Sequence, residues 1–210
     1  MASDGNLTAR AVFLAGILVL SLPIVPVVAS PADSVITGIC EGSVLPLGVV
    51  VPPEGFETGC SRVYVLKRGA SDGERGRYGF VDLPPCPMGP CGNPGGQDRF
   101  SCELLHGNFC CSDDMVGRDV ETLAGNRTGP LLDAMTQRFW ADTDRREDQC
   151  HAEYVGNGKR ILRVVAMTPT EAGSKVYRVV GFARFFMRER PDKGTENLVG
   201  EFIPSSSTEE

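Results

Sequence analysis

The stretch that decides the fold runs from Arg160 to Met187: RILRVVAMT over 160–168, PTEAGS over 169–174 and KVYRVVGFARFFM over 175–187. The two outer segments are dense in Val, Ile, Tyr and Phe, which suit a pleated, half-buried surface. Pro, Gly and Ser mark the segment between them as a turn. Together they predict a β-hairpin. Gly181 interrupts the second strand and marks a bulge or a close backbone approach. Working outward, Asn197 to Ile203 adds a third strand. Upstream, Arg62 to Lys67 and Arg77 to Leu83 read as short strands joined by the polar turn Gly69 to Gly76. Ser43 to Val51 is a further strand, which Pro46 confines to a sheet edge or a late start.

One helix is expected, over Gly129 to Asp142. Pro130 suits the first turn, where a missing N–H costs nothing. Leu131, Leu132, Met135 and Phe139 recur at helical spacing, leaving Asp133, Gln137 and Arg138 for solvent. Phe139 and the neighbouring Trp140 are assigned to the core, with an exposed apolar patch as the alternative. The segment Pro84 to Gln97 is too rich in Pro and Gly for a regular element and reads as a loop stapled by Cys86 and Cys91. The fold class is therefore α+β: a mainly antiparallel sheet, one principal helix and a disulfide-stapled loop. Residues 1–32 form a hydrophobic N-terminal segment, 33–204 the domain, and 205–210 a polar tail expected to be disordered.

The chain of 210 residues carries a net charge of -6. That balance argues against a nucleic-acid partner, which requires a clustered excess of Lys and Arg. Its eight cysteines are Cys40, Cys60, Cys86, Cys91, Cys102, Cys110, Cys111 and Cys150. An even number without Cys-x-x-Cys pairs favours disulfides over zinc, and disulfides place the domain outside the cytoplasm. Spacing does not fix the connectivity. The pairing expected is Cys40–Cys60, Cys86–Cys91, Cys102–Cys110 and Cys111–Cys150, since adjacent Cys110 and Cys111 fit disulfide geometry poorly. The competing metal set is Cys102, His106, Cys110 and Cys111.

Residues Ala11 to Ala29 carry no charge and follow Arg10. They read in three ways: an export signal ending near Val27-Val28-Ala29, a membrane anchor that Pro23 and Pro26 weaken, or a core segment of a longer protein. The first two give the chain a membrane contact.

No catalytic constellation emerges. There are two histidines, His106 and His151, and no Gly-x-Ser-x-Gly elbow. Gly156-Asn157-Gly158-Lys159 resembles the end of a phosphate loop but lacks the upstream glycine and the following Ser or Thr, so it reads as a turn entering a strand. Asp113, Asp114, Asp142 and Asp144 are candidate calcium ligands, although neither pair completes a calcium-loop pattern; the alternative for Asp142 and Asp144 is a solvated helix end beside Arg145 and Arg146. Asn6-Leu7-Thr8 and Asn126-Arg127-Thr128 match the glycosylation tripeptide. No cofactor is expected.

One series of motifs is familiar: Gly79-Phe80-Val81-Asp82-Leu83; Leu105-His106-Gly107; Val120-Glu121-Thr122-Leu123-Ala124-Gly125-Asn126-Arg127-Thr128-Gly129-Pro130 leading to Arg138-Phe139; Ile161 to Val165; and Val179-Val180-Gly181-Phe182-Ala183-Arg184-Phe185. Leu45-Pro46-Leu47-Gly48-Val49 precedes it. The series, over positions 43–203, resembles the C-terminal region of TadE/TadG-like proteins of Tad (Flp-type) pilus-assembly systems. The chain differs from that group in lacking a small-residue stretch after the hydrophobic run and in its cysteine-rich insert from Cys86 to Cys111. The resemblance implies a bacterial envelope or surface role in pilus assembly, adhesion or surface interaction, with other envelope or pilus-assembly proteins as partners and no catalytic residues. The alternatives are a secreted metal- or carbohydrate-binding surface domain and, behind it, a secreted hydrolase using His106 or His151.

Overall fold

In the computed structural model the hairpin is the spine of the sheet. The structure describes residues 35–37, 42–68, 77–84, 86, 89–92, 96–108, 113–123, 128–171, 175–191 and 197–205. The hydrophobic segment 1–32, the turn 69–76, Cys40, Cys110, Cys111, the tripeptide at Asn6, Asn126 and Arg127 of the second tripeptide, and tail residues 206–210 lie outside the described residues.

The strands are β1 (Ile36–Thr37), β2 (Leu47–Val50), β3 (Tyr64–Arg68), β4 (Arg77–Phe80), β5 (Asp119–Glu121), β6 (Ile161–Pro169), β7 (Val176–Met187) and β8 (Leu198–Ile203). The helices are α1 (Gly96–His106) and α2 (Thr128–Ala141). β6 and β7 pair antiparallel along their length, from Ile161 opposite Phe186 to Pro169 opposite Tyr177. β2 joins β6 in parallel, β4 joins β2 antiparallel, β3 joins β4 in parallel and β8 joins β3 antiparallel. β8 then pairs with the C-terminal half of β7, Arg184 opposite Ile203, and so closes a ring of six strands. β5 and β1 occupy the rest of the same edge of β7. The sheet is thus mainly antiparallel, as the hairpin implied, but closed on itself.

The bulge falls at Gly181. Ala166 faces Gly181 whereas Met167 faces Val179, so Val180 is the extra residue. This shift preserves the sidedness of the strand. Before it, Tyr177 and Val179 join the smaller apolar cluster; after it, Phe182 does so, and Ala183, Phe185 and Met187 point into the larger one. Without the extra residue the period of two would send Phe182 to the wrong face. Gly181 also has a φ of 154°, and a Cβ there would lie 2.5 Å from Ile36 Cγ2 and 2.6 Å from the Thr37 carbonyl oxygen. Only glycine lets β1 approach that closely.

The larger cluster is where the helices dock. Leu131, Leu132, Met135 and Phe139 of α2 and Phe100 and Leu104 of α1 pack with Leu47, Val49, Phe80, Leu162 and Phe185. Helix α1 corrects the expectation of a single principal helix. The loop reading of Pro84 to Gln97 ends where α1 begins, at Gly96. The helix stops at Gly107, which has a φ of 81° and returns its N–H to the Glu103 carbonyl at 2.7 Å, a left-handed helix cap.

The disulfides correct the expected connectivity. Cys60 bonds Cys150, and Cys91 bonds Cys102. Each of the four expected pairs contains one of these cysteines with a different partner, so none of those pairs forms. Every expected pair spanned less sequence than Cys60–Cys150, which joins the segment before β3 to the loop beyond α2, 90 positions apart. Cys102 is thereby removed from the candidate zinc set. Phe139 and Trp140 also part ways: Phe139 is buried, whereas Trp140 is 47% exposed between the guanidinium groups of Arg145 and Arg190, at 5.7 and 5.6 Å from its ring centre.

Candidate functional site

The loop between α2 and β6 brings most of the polar chemistry together. Asp142 immediately follows α2 and is fully buried. Its Oδ1 accepts the Asp144 N–H at 2.9 Å, a turn that Asp forms readily. Its Oδ2 accepts the Tyr154 hydroxyl at 2.6 Å and the Arg160 N–H at 3.0 Å. The Asp144 carboxylate accepts two bonds from Arg146, at 2.9 and 2.7 Å, one from Gln149 Nε2 at 2.9 Å and one from the Val155 N–H at 3.1 Å.

Arg160 completes the hub. Its guanidinium and Nε donate to the carbonyls of Met187 at 2.8 Å, Asp144 at 3.0 Å, Arg146 at 2.8 Å and Arg188 at 2.6 Å. Phe139 and Phe186 lie over it, their ring centres 4.9 and 4.8 Å from its Cζ. A buried arginine tolerates such a setting because its donors are satisfied and its charge faces aromatic rings.

These contacts set the titration of the group. The Arg146 guanidinium, with help from Gln149 and the Val155 N–H, holds the Asp144 carboxyl well below the usual carboxylate range. Burial, and then the bond to Asp142, push the Tyr154 phenol up, so it remains a proton donor to Asp142. Burial draws the Arg160 guanidinium down from its usual value, while Asp142 and Asp144 oppose that trend. A depressed carboxylate stabilises the fold above the unfolded value of about 4 and loses that contribution as pH falls below it. The melting temperature of the wild type should therefore fall as pH is lowered from 5 toward 2. The fall should be shallower in Asp144→Asn, measured by circular dichroism, since that variant has no proton to take up at this position.

The calcium candidates meet a different chemistry from the one their residue types suggested. Asp142 and Asp144 do come together, but buried and surrounded by N–H and O–H donors instead of forming a solvated helix end. Asp114 is exposed elsewhere and pairs with Arg118; the Asp113 side chain lies outside the described residues. Among the described residues no three His, Cys, Asp or Glu side chains converge.

Beside the hub is an open concavity of about 1020 Å³. It is lined by His106 at the end of α1, Arg138 of α2, His151, Lys159, Arg163 of β6 and Arg184 of β7. The two histidines, 45 positions apart in sequence numbering, thus meet at one face. Arg138, expected at the solvent face of α2, is turned inward: it donates to the carbonyls of Leu105 at 2.8 Å, Lys159 at 3.0 Å and Ile161 at 3.2 Å, tying the end of α1 to the start of β6. A cation there also complements the C-terminal end of the α1 dipole. Burial and the neighbouring Arg184 draw the His151 imidazole down, so it is neutral at physiological pH. The turn Gly156 to Lys159 forms the rim. It is the turn before a strand that Asn-Gly implied: Gly158 has a φ of 82° and its N–H is spent on the Tyr154 hydroxyl, while the Lys159 N–H meets Asn157 Oδ1. Those amides are not arrayed as in a phosphate loop.

The Arg160 hub and the Arg138 clamp were not legible in sequence, because an arginine at the start of a strand or on the polar face of a helix carries no mark of burial. The signal for α1, a histidine in the last turn followed by Gly107, was present. No family model, no curated protein and no solved structure matches this chain.

Proposed function

We propose that the chain is a non-catalytic interaction module of the bacterial cell envelope, exported through its N-terminal hydrophobic segment and related to the TadE/TadG-like proteins of Tad pilus assembly. The observation that carries the reading is the pair of disulfides, Cys60–Cys150 and Cys91–Cys102, with no free thiol among the described cysteines. Disulfides of this structural kind persist in oxidising compartments. The resemblance of positions 43–203 supplies the link to pilus assembly and adhesion, and the partners it implies are other envelope proteins. Two features support a binding role: a broad concavity faces solvent, and the most elaborate polar cluster is spent internally on holding the loop from Asp142 to Arg160. Among the described residues no helix is long and apolar enough to cross a membrane, so an anchor in this reading belongs to residues 1–32.

The test is alkylation of the native protein under denaturing conditions, followed by non-reducing peptide mapping. The expected result is no alkylated cysteine, with peptides linked through Cys60–Cys150 and Cys91–Cys102. Eight alkylated thiols in freshly extracted protein would overturn the extracytoplasmic assignment.

A further inference from the structure

We propose that Asn157-Gly158, in the turn at the rim of the concavity, is a latent modification site: it deamidates through a succinimide to aspartate or isoaspartate, and the Tyr154 hydroxyl guards it while the hub is closed. The inference concerns this turn alone and does not depend on the envelope reading.

The sequence supplies the reactive pair. The backbone nitrogen that follows an asparagine can attack the side-chain carbonyl carbon, and a glycine there leaves the approach unhindered because it has no Cβ. In the first step the Gly158 nitrogen gives its proton to solvent hydroxide and bonds to Asn157 Cγ. The bond from Cγ to Nδ2 breaks, and Nδ2 takes a proton from water and leaves as ammonia. The product is a five-membered imide. Water then adds to either of its carbonyls and opens the ring to aspartate or isoaspartate. The balance is one water in and one ammonia out, with no oxidant or reductant.

The structure sets this pair where solvent reaches it and ties down its reacting groups. Asn157 is exposed. The Gly158 N–H is donated to the Tyr154 hydroxyl at 2.6 Å. Asn157 Nδ2 donates to the Ala141 carbonyl at 3.1 Å, and Oδ1 accepts the Lys159 N–H at 3.4 Å. Tyr154 is an acceptor that does not act as a base. Burial and its own bond to Asp142 keep the phenol protonated, so it holds the Gly158 proton in place without removing it. Gly156 sets how closely the turn meets the ring, since a Cβ there would overlap the Tyr154 and Asp142 side chains. On the other side the Gly158 carbonyl accepts the Ile161 N–H at 3.1 Å, and the Lys159 carbonyl accepts Arg138 Nε at 3.0 Å. Attack therefore requires the turn to open and the Gly158–Tyr154 bond to break. The product cannot close as before. A carboxylate at position 157 has no donor for the Ala141 carbonyl and repels it, and isoaspartate adds a methylene to the backbone of the turn. Each opening that ends in reaction is recorded permanently on the rim of the concavity.

The test is the rate of deamidation at Asn157 in the oxidised chain at mildly alkaline pH, in buffer and in urea above the unfolding midpoint. Peptide mass spectrometry and isoaspartyl methylation follow the products. The native chain is expected to react roughly tenfold or more slowly than the unfolded chain, as for a group exposed only by local opening. Hydrogen exchange of the Gly158 amide gives a second readout on the wild type. Exchange and attack need the same opening, so the retardation should match the protection factor of that amide. Tyr154→Phe, shown to be folded by circular dichroism, should react several-fold faster than the wild type, and Asn157→Gln should suppress the signal. Equal rates in buffer and urea, or a retardation that does not match the Gly158 protection factor, would overturn the proposal. A folded Tyr154→Phe that reacts at the wild-type rate would also overturn it. If Tyr154→Phe does not fold, the exchange comparison on the wild type decides.

Discussion

Replacing Arg160 with leucine is expected to destabilise the fold by about 3–5 kcal/mol, the range for removing one partner from a buried charged network. Four backbone carbonyls lose their donor at once, and they belong to two separate segments: Asp144 and Arg146 in the loop after α2, Met187 and Arg188 at the end of β7. Leucine restores apolar contact with Phe139 and Phe186 but leaves those carbonyls unsatisfied, and an unmet buried acceptor costs its full desolvation. Asp142 keeps the bond from Tyr154 but loses the guanidinium of Arg160 beside it. For a domain of this size the change corresponds to a fall in melting temperature on the order of 10 °C. Arg160→Lys should recover little of it. An ammonium keeps the charge but cannot reach four carbonyls from one planar fork. Urea denaturation of the three proteins checks both statements. A loss below about 1 kcal/mol in Arg160→Leu would mean that water replaces the guanidinium without penalty.

The second large effect is expected from the Cys60–Cys150 bridge. It closes a loop with a sequence separation of 90, and the chain-entropy account assigns such a crosslink about 4–5 kcal/mol. Cys91–Cys102, with a separation of 11, is worth about 3 kcal/mol on the same account. Cys60→Ser/Cys150→Ser should therefore lose more stability than Cys91→Ser/Cys102→Ser. Dithiothreitol should reduce the wild type to a stability below either double variant. The order is checked by denaturation midpoints with and without reductant. It reverses if the unfolded chain already keeps the two ends of the long loop close together. Arg188 reinforces the same junction, donating to the Cys60 and Asp148 carbonyls at 2.8 Å each.

The hairpin, the bulge and α2 were legible because each is a local matter. Alternation and helical spacing are properties of neighbours in sequence, and Gly181 sits in a run whose pattern breaks visibly around it. Ring closure was not legible. It depends on β8 reaching both β3 and β7, and nothing in Leu198 to Ile203 specifies two partners instead of one. Helix α1 was hidden by its setting: Pro and Gly crowd the residues before it, and its buried apolar residues reduce to Phe100 and Leu104. The hub was half legible. Asp142 and Asp144 stood out as a pair, but their chemistry was read from residue type. Burial and the donors from Tyr154, Gln149 and Arg160 determine that the pair accepts hydrogen bonds, and those donors lie up to 18 positions away. The disulfide pairing failed for the same reason, since proximity in sequence is a poor guide to proximity across a closed ring.

That closure also governs the order of assembly. The strand that completes the ring, Leu198–Ile203, is the last of the described strands, and it seals a gap between β3, near residue 64, and β7, near residue 184. Contacts separated by more than a hundred positions make the folding nucleus expensive in loop entropy and the folding rate slow. Until the C-terminal strand arrives, the edges of β3 and β7 are open templates for another chain. Under the export proposed above, a chain crossing a membrane unfolded would not lock into its final form before Leu198–Ile203 had arrived.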